Sequence, residues 1–350
     1  MDSREIRLAS RPTAVPSLAN FSLATVDVPP PAEGQVLVRN LFMSVDPYMR
    51  GRMNAAKSYV PPFAVDQPLE GGAVGEVIES RAPAIAVGSI VISNKGWRDR
   101  FVADPRELRV VDGSVQPLSI YLGALGMTGF TAWIGLDLVG VKAGEVVFIS
   151  GAAGAVGSLA GQLAKLRGCQ VIGSAGSAEK VRLLTTELGF DAAFNYKDGL
   201  PADLSAGALA KVEASAKAGD VYAQLKRAAP GGIDVYFDNV GGDHLEAAFS
   251  SLREHGRVSA CGQISRYNEG GPVPGPRNMF LIVTKRLTIR GFLVFDSIKR
   301  MPEFLAEVAP LVKSGRIRSK ETIIEGLERA PQAFIDLFSG ENVGKMIVRL

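Results

Sequence analysis

An apolar run, EVVFIS (145–150), breaks into GAAGAVG (151–157) and resumes as SLAGQLAKLRG (158–168). This is a strand pattern, a turn of small residues and a helix pattern with nothing between them. Such a reversal constrains the fold tightly, because a strand must enter a helix within one short turn whose backbone other groups can approach closely. The G-x-G-x-x-G spacing falls on Ala152, Gly154 and Gly157, with alanine at its first position. In a dinucleotide fold this turn faces a pyrophosphate, which the free N–H groups at the helix start receive. The other reading is a glycine-rich helix packed on its strand with no ligand. Position between strand and helix, heading an alternating series, favours the cofactor. EGGAVGEVIES (70–80) has a similar glycine content but no helix after it, and reads as a turn into a strand.

The series that follows the turn sets the fold class. QVIGSA, SAEKVRLLTTELG, AAFNY, IDVYFDNV, DHLEAAFSSLREHG, RVSACG and LTIRGFLVF alternate short apolar strands with amphipathic helices. That alternation predicts a parallel sheet covered on both faces, a doubly wound α/β fold. Residues 1–120 instead read as strands and loops punctuated by proline, which predicts a largely antiparallel β lobe. Past residue 296 the pattern returns to mixed pieces, including the helical MPEFLAEVAPLVKSG and the closing strand GKMIVRL. The expected division is 1–122 with 297–350 as the mostly-β catalytic domain, and 123–296 as the nucleotide domain. A chain of 350 residues is long for one core, which agrees with two lobes. The Ala/Lys-rich stretch 197–232 is long for a connection and reads as an enlarged crossover with exposed helix.

Composition narrows the partners. Lys and Arg exceed Asp and Glu by only 39 to 36, with no basic run or interleaved aromatic stripe, so nucleic acid is not expected. No apolar run is long enough to span a bilayer, and the charged start MDSREIRLASRP lacks the apolar core of a secretory signal. Two cysteines, Cys169 and Cys261, make a disulfide framework improbable and point to the cytoplasm. The only histidines, His244 and His255, lie in one helical pattern. Four ligands for a structural zinc cannot be assembled from cysteine, and no metal is expected in the active site either. Neither histidine follows a nucleophile-elbow motif, so a hydrolase is not indicated.

The dinucleotide can be read further. An NAD site places Asp or Glu about 20 residues past the turn, on the adenosine ribose. That position is Ser174, and Ser177 and Lys180 follow it. A missing acid together with a nearby cation favours NADP(H), because the lysine can pair with the 2′-phosphate.

With these residues placed, the chain resembles the medium-chain dehydrogenase/reductase superfamily over nearly its whole length. It is most similar to the zinc-independent branch of prostaglandin/leukotriene B4 reductases, plant double-bond reductases and curcumin-type reductases. The stretches that carry the resemblance are MSVDPYMRGRM (43–53), GMTGFTAW (126–133), GAAGAVGSLAGQLAKLRGC (151–169), GSAEKV (176–181), FNYK (194–197), YFDNVGG (236–242), CGQISRYN (261–268) and ENVGKMIV (341–348). It implies a GroES-like mostly-β catalytic domain with a Rossmann domain. It implies that Ser177 and Lys180 hold the 2′-phosphate, that Tyr196 lies along the adenosine ribose, and that Gly154, Ala155 and Val156 face the pyrophosphate with Thr128 nearby. Asn239 would close one side of the crevice. Cys261, Gly262, Tyr267, Phe292, Leu293 and Val294 would flank the nicotinamide, and Asn342 would reach it. A homodimer through the nucleotide lobe is a further implication. Residues 54–70 and 269–280 match no pattern in the family, which leaves the substrate open.

Without a metal to polarise a carbonyl, an activated alkene is the easier substrate. Hydride addition to the β-carbon of an enone leaves negative charge on the carbonyl oxygen, and a positioned hydroxyl can stabilise it. Tyr267 is the first candidate donor, since an ordinary tyrosine stays protonated at neutral pH. Tyr48 is the second; Arg50 and Arg52 read as loop or phosphate holders. The expected function is NADPH-dependent reduction of α,β-unsaturated ketones or aldehydes. A quinone reductase and a non-catalytic NADPH-binding protein are the alternatives.

Overall fold

The computed structural model describes residues 1–198, 218–269, 271 and 273–350. The chain divides into two compact units, Met1–Gly123 with Glu321–Leu350, and Ala124–Lys320. Most of the crossover expected at 197–232 lies outside the described residues; its last part is the helix Ala218–Ala228.

The first unit is mostly β. Its strands are β1 (Asp2–Leu8), β2 (Phe21–Asp27), β3 (Val36–Ser44), β4 (Ala73–Ser80), β5 (Ile90–Ser93), β6 (Arg100–Ala103), β7 (Arg109–Val111), β14 (Glu321–Glu325) and β15 (Lys345–Arg349). The main sheet runs β14-β15-β3-β4-β5-β7, with β6 also on β3, while β1 and β2 form a separate pair. β3 is the hub: its first half pairs with β6 and its second half with β15, both antiparallel. It can serve so many neighbours because Val36, Leu37, Val38, Met43 and Ser44 are all buried. One core gathers Met43, Val45, Met49, Met53, Trp97, Phe334 and Met346; a smaller one gathers Val36, Val38, Val77, Val91 and Phe101.

The second unit is the doubly wound sheet. Its strands are β8 (Val146–Ile149), β9 (Gln170–Ala175), β10 (Ala192–Asn195), β11 (Ile233–Asp238), β12 (Leu252–Ala260) and β13 (Thr288–Gly291). All are parallel, in the order β10-β9-β8-β11-β12-β13. Counted within the unit this is 3-2-1-4-5-6, the order of the dinucleotide-binding sheet, with its switch point between β8 and β11. The strands read as continuous apolar runs because both faces are covered; Val146, Val147, Phe148 and Ile149 are all buried.

Two details differ from the sequence reading. His255 is not on a helix. The helix Gly242–Ser251 stops, and Leu252–Ala260 is already β12 with His255 at φ +61°. The apolar periodicity of AAFSSL carries no mark of that break. The second unit also extends through Lys320 rather than ending near 296. The helix Met301–Lys313 packs its fully buried Phe304 on Phe130 (5.5 Å between ring centres) and Trp133 (6.2 Å) of the helix Met127–Leu138. Trp133 Nε1 donates to Glu307 Oε2 at 2.7 Å, and Arg318 N donates to Gln162 Oε1 at 2.7 Å. Among the described residues no helix is long and apolar enough to cross a membrane.

Candidate functional site

The glycine turn leaves β8 at Ser150 and enters the helix Ala155–Leu166. Gly151 turns the chain at φ +58°, and Gly154 caps the helix in an extended conformation with no side-chain hydrogen bond. The first-turn N–H groups therefore lack both an intrahelical acceptor and a capping side chain, which is the condition for receiving an anion. At Gly157 a Cβ would stand 2.8 Å from Ala152 Cα and against the Gly151 carbonyl. Only glycine lets helix and strand come this close.

Across the switch point lies a buried polar knot. Tyr236 Oη lies 2.7 Å from Asp238 Oδ1 and 2.9 Å from Ser150 Oγ. The N–H groups of Val240 (3.0 Å) and Gly241 (2.7 Å) donate to the same Asp238 oxygen. Asn239 donates from its backbone to Ser150 Oγ and from Nδ2 to the Ser150 carbonyl, at 3.0 and 2.8 Å. Burial pushes the Asp238 carboxyl and the Tyr236 phenol above their usual ranges. The knot ties the end of β11 to the end of β8 and fixes the loop Asn239–Gly241 beside the glycine turn.

The residues expected at the 2′-phosphate follow β9 and β10. Ser177 caps the helix Ala178–Thr186, its Oγ accepting from Lys180 N at 3.3 Å. Its hydroxyl therefore already has a structural role. Tyr196 Oη and Lys197 Cε both lie 3.1 Å from where a Cβ on Gly176 would be, and Lys197 Nζ stands 5.9 Å over the Tyr196 ring. Lys197, in FNYK, is a second cation here, to which the family resemblance assigns no role. Ser174 is fully buried and no carboxylate occupies its position. The Tyr196 ring meets His244 edge-on at 5.0 Å, and His244 stacks near-parallel on Phe148. Burial lowers the His244 imidazole to about 4, so it is neutral at physiological pH.

Past β12, the N–H groups of Cys261 and Gly262 both donate to the Asp238 carbonyl, at 3.0 and 2.9 Å. Burial, then the Asp238 charge, push the Cys261 thiol up to about 12, which rules it out as a nucleophile. Tyr267 ends a short 3-10 turn; its Oη accepts from Gln263 N at 3.4 Å and lies against Gly262. Phe292 packs near Gly135, whereas Leu293 is exposed past the edge strand β13. Thr128 is in the first turn of Met127–Leu138. Tyr48 and Asn342 belong to the first unit, where Asn342 Nδ2 donates to the Gly344 carbonyl at 2.8 Å.

A pyridine dinucleotide fits these residues: an uncapped helix start, a turn that excludes side chains, and a buried serine at 174 where an NAD site carries an acid. Fold and site together define the class, a dinucleotide-binding protein with a separate mostly-β unit. Residues 4–111 match the family described as the N-terminal domain of oxidoreductase, and residues 155–310 the family described as zinc-binding dehydrogenase. The chain is 41% identical over 355 residues to the NADP-dependent 2-alkenal reductase of Nicotiana tabacum, covering 99% of this chain and 97% of that one. It is 40% identical over 349 residues to the NADPH-dependent curcumin reductase of Escherichia coli (strain K12), covering 98% and 95%. The crystal structure of CurA with NADPH from Vibrio vulnificus superposes with a TM-score of 0.88 at 39% identity, over 99% of this chain and 98% of that one. The chain belongs to the medium-chain dehydrogenase/reductase superfamily, in the family of these double-bond reductases.

Zinc, which the second family description names, does not fit. Cys169 Sγ donates to the Lys142 carbonyl, His244 is sealed between aromatic rings, and His255 lies on β12. Among the described residues no three His, Cys, Asp or Glu side chains cluster as metal ligands.

Proposed function

We propose that this protein reduces the carbon–carbon double bond of α,β-unsaturated ketones and aldehydes with NADPH. The observation that carries the cofactor assignment is Lys197 and Tyr196 beside Gly176, with Lys180 in the first turn of the helix that Ser177 caps and a buried serine at 174 in place of the ribose-binding acid. The reaction follows from relatives near 40% identity whose names specify alkenals and curcumin.

When bound, the reduced nicotinamide supplies a hydride to the β-carbon. The chain contributes the rest. The backbone of Gly154, Ala155 and Val156 would hold the pyrophosphate, with Thr128 nearby. Lys180, Lys197 and Ser177 would hold the 2′-phosphate, and Tyr196 the adenosine ribose. Asn239, fixed by Ser150, would close the crevice. Cys261, Gly262, Phe292, Leu293, Val294 and Asn342 would border the nicotinamide. As the π pair moves to the carbonyl oxygen, a phenol donates a hydrogen bond to that oxygen, and the α-carbon takes a proton from solvent water. Tyr267 and Tyr48 are the two phenols we assign to that donor role.

The test is product analysis with NADPH and an alkenal, a cyclic enone and a quinone in parallel. The expected product is the saturated carbonyl compound. An allylic alcohol would reject conjugate addition, and turnover of the quinone alone would reject the substrate class.

We also infer a cytoplasmic homodimer. Both cysteines are free, as in a reducing compartment. The outermost strand β13 has all four residues exposed, flanked by Phe280 (73% exposed), Val283 (66%) and Phe295 (50%). A second copy offering the same edge across a two-fold axis would cover both. Ile289→Lys on that strand should give a monomer in sedimentation; an unchanged mass for wild type and variant at monomer value would overturn the dimer.

A further inference from the structure

The two candidate phenols are mounted differently. The Tyr267 oxygen accepts from the Gln263 N–H at 3.4 Å, a bond within its own loop that leaves its proton to donate. Tyr48 is half-buried, and no hydrogen bond holds its hydroxyl among the described residues. The chain on either side of it, however, is fastened. Lys345, in β15, is 3% exposed and donates to the Val45 carbonyl at 3.0 Å and to Asp46 Oδ1 at 2.9 Å. Ser44 Oγ donates to the other Asp46 oxygen. Beyond Tyr48, Met49 is fully buried, and buried Arg50 donates to the carbonyls of Pro12 and Ala14 and to Asn54. A buried ion pair contributes little net stability, because desolvation offsets its attraction, but it fixes geometry. Here it fixes the three residues that lead into Pro47 and Tyr48.

We propose that Lys345 and Asp46 are positioning residues that hold the Tyr48 hydroxyl as the hydrogen-bond donor to the substrate's carbonyl oxygen. This rests on the reductase reading above and selects one of its two phenols. The charged and titratable groups facing Tyr48 are Asp46, Arg52, Tyr59 and Glu70; burial and the Asp46 charge push its hydroxyl up, so it remains a donor throughout the working pH range. During the reaction Tyr48 donates a hydrogen bond to the developing enolate oxygen and keeps its proton; that bond is relinquished when a water molecule gives a proton to the α-carbon, leaving hydroxide to the solvent, and the carbonyl re-forms.

The experiment is a double-mutant cycle on the full chain with an alkenal, using Tyr48→Phe, Lys345→Met and the pair. Each single variant should lower kcat tenfold or more, with the Kd for NADPH within twofold of wild type. The pair should be no more than twofold below Tyr48→Phe alone, and Lys345→Arg should recover most of the loss. Losses that multiply would make Lys345 merely structural, and full turnover in Tyr48→Phe would remove the phenol; either overturns the proposal. If Lys345→Met does not fold, Asp46→Asn with and without Tyr48→Phe completes the same cycle. Failure of the reductase reading is distinguishable, since wild type would then leave every alkenal unreduced while these variants had nothing to change.

Discussion

His244 should make the second unit acid-sensitive through one side chain. It is 5% exposed, stacked on Phe148 and edge-on to Tyr196, and its Nε2 has no hydrogen-bond partner among the described residues. Its imidazole titrates near 4 in the native chain against 6.5 when unfolded. The unfolded state therefore binds the proton first, and stability is present above 6.5 and lost as pH falls towards 4. The full loss is about 3 kcal/mol, of which about 2 kcal/mol falls between pH 7.5 and 5.0. Urea unfolding at those two pH values, followed through Trp133 in the same unit, measures it. His244→Phe keeps the ring stack and removes the titration, so its stability should fall by about 2 kcal/mol less than wild type over that interval. Parallel pH dependence in the two proteins would refute the burial argument.

Lys180→Ala should raise KM for NADPH about tenfold while leaving KM for NADH nearly unchanged, since a partly exposed charge contact lies at the low end of its range; Lys197→Ala should do the same. Equal effects on both cofactors in steady-state kinetics would show that neither lysine reads the phosphate. Gly157→Ala places a methyl 2.8 Å from Ala152 Cα, so NADPH binding by fluorescence titration should weaken at least tenfold. Phe304→Ala empties the space between Phe130 and Trp133 and should cost about 3–5 kcal/mol in chemical denaturation.

What could be read from the sequence followed from how each signal arises. The parallel sheet was legible because strands buried on both faces must be apolar throughout, as in VVFI of β8, and because the glycine turn sits at a fixed place before a helix. The break between Ser251 and Leu252 was not, because the chain turns extended at Leu252 while the apolar spacing of AAFSSL runs on across it. The reach of the second unit to Lys320 depends on Phe304 meeting Phe130, residues separated by most of that unit. Lys197 could have been found: it directly follows Tyr196 at the end of β10, where the cofactor end of such a sheet lies. Lys345 could not. Nothing in GKMIV marks a lysine whose amine is enclosed by a turn some three hundred residues earlier.

The order in which the chain is made follows from β15. That strand lies between β14 and β3, inside the sheet rather than at its rim, yet both it and β14 come after the whole of 124–320. On a ribosome the nucleotide-binding unit is contiguous and can fold as soon as it has emerged. The first 123 residues must wait beside it with the flank of β3 uncovered until the final strand arrives. A translational stall anywhere in the second unit would therefore leave a finished Rossmann sheet tethered to a half-assembled, sticky partner.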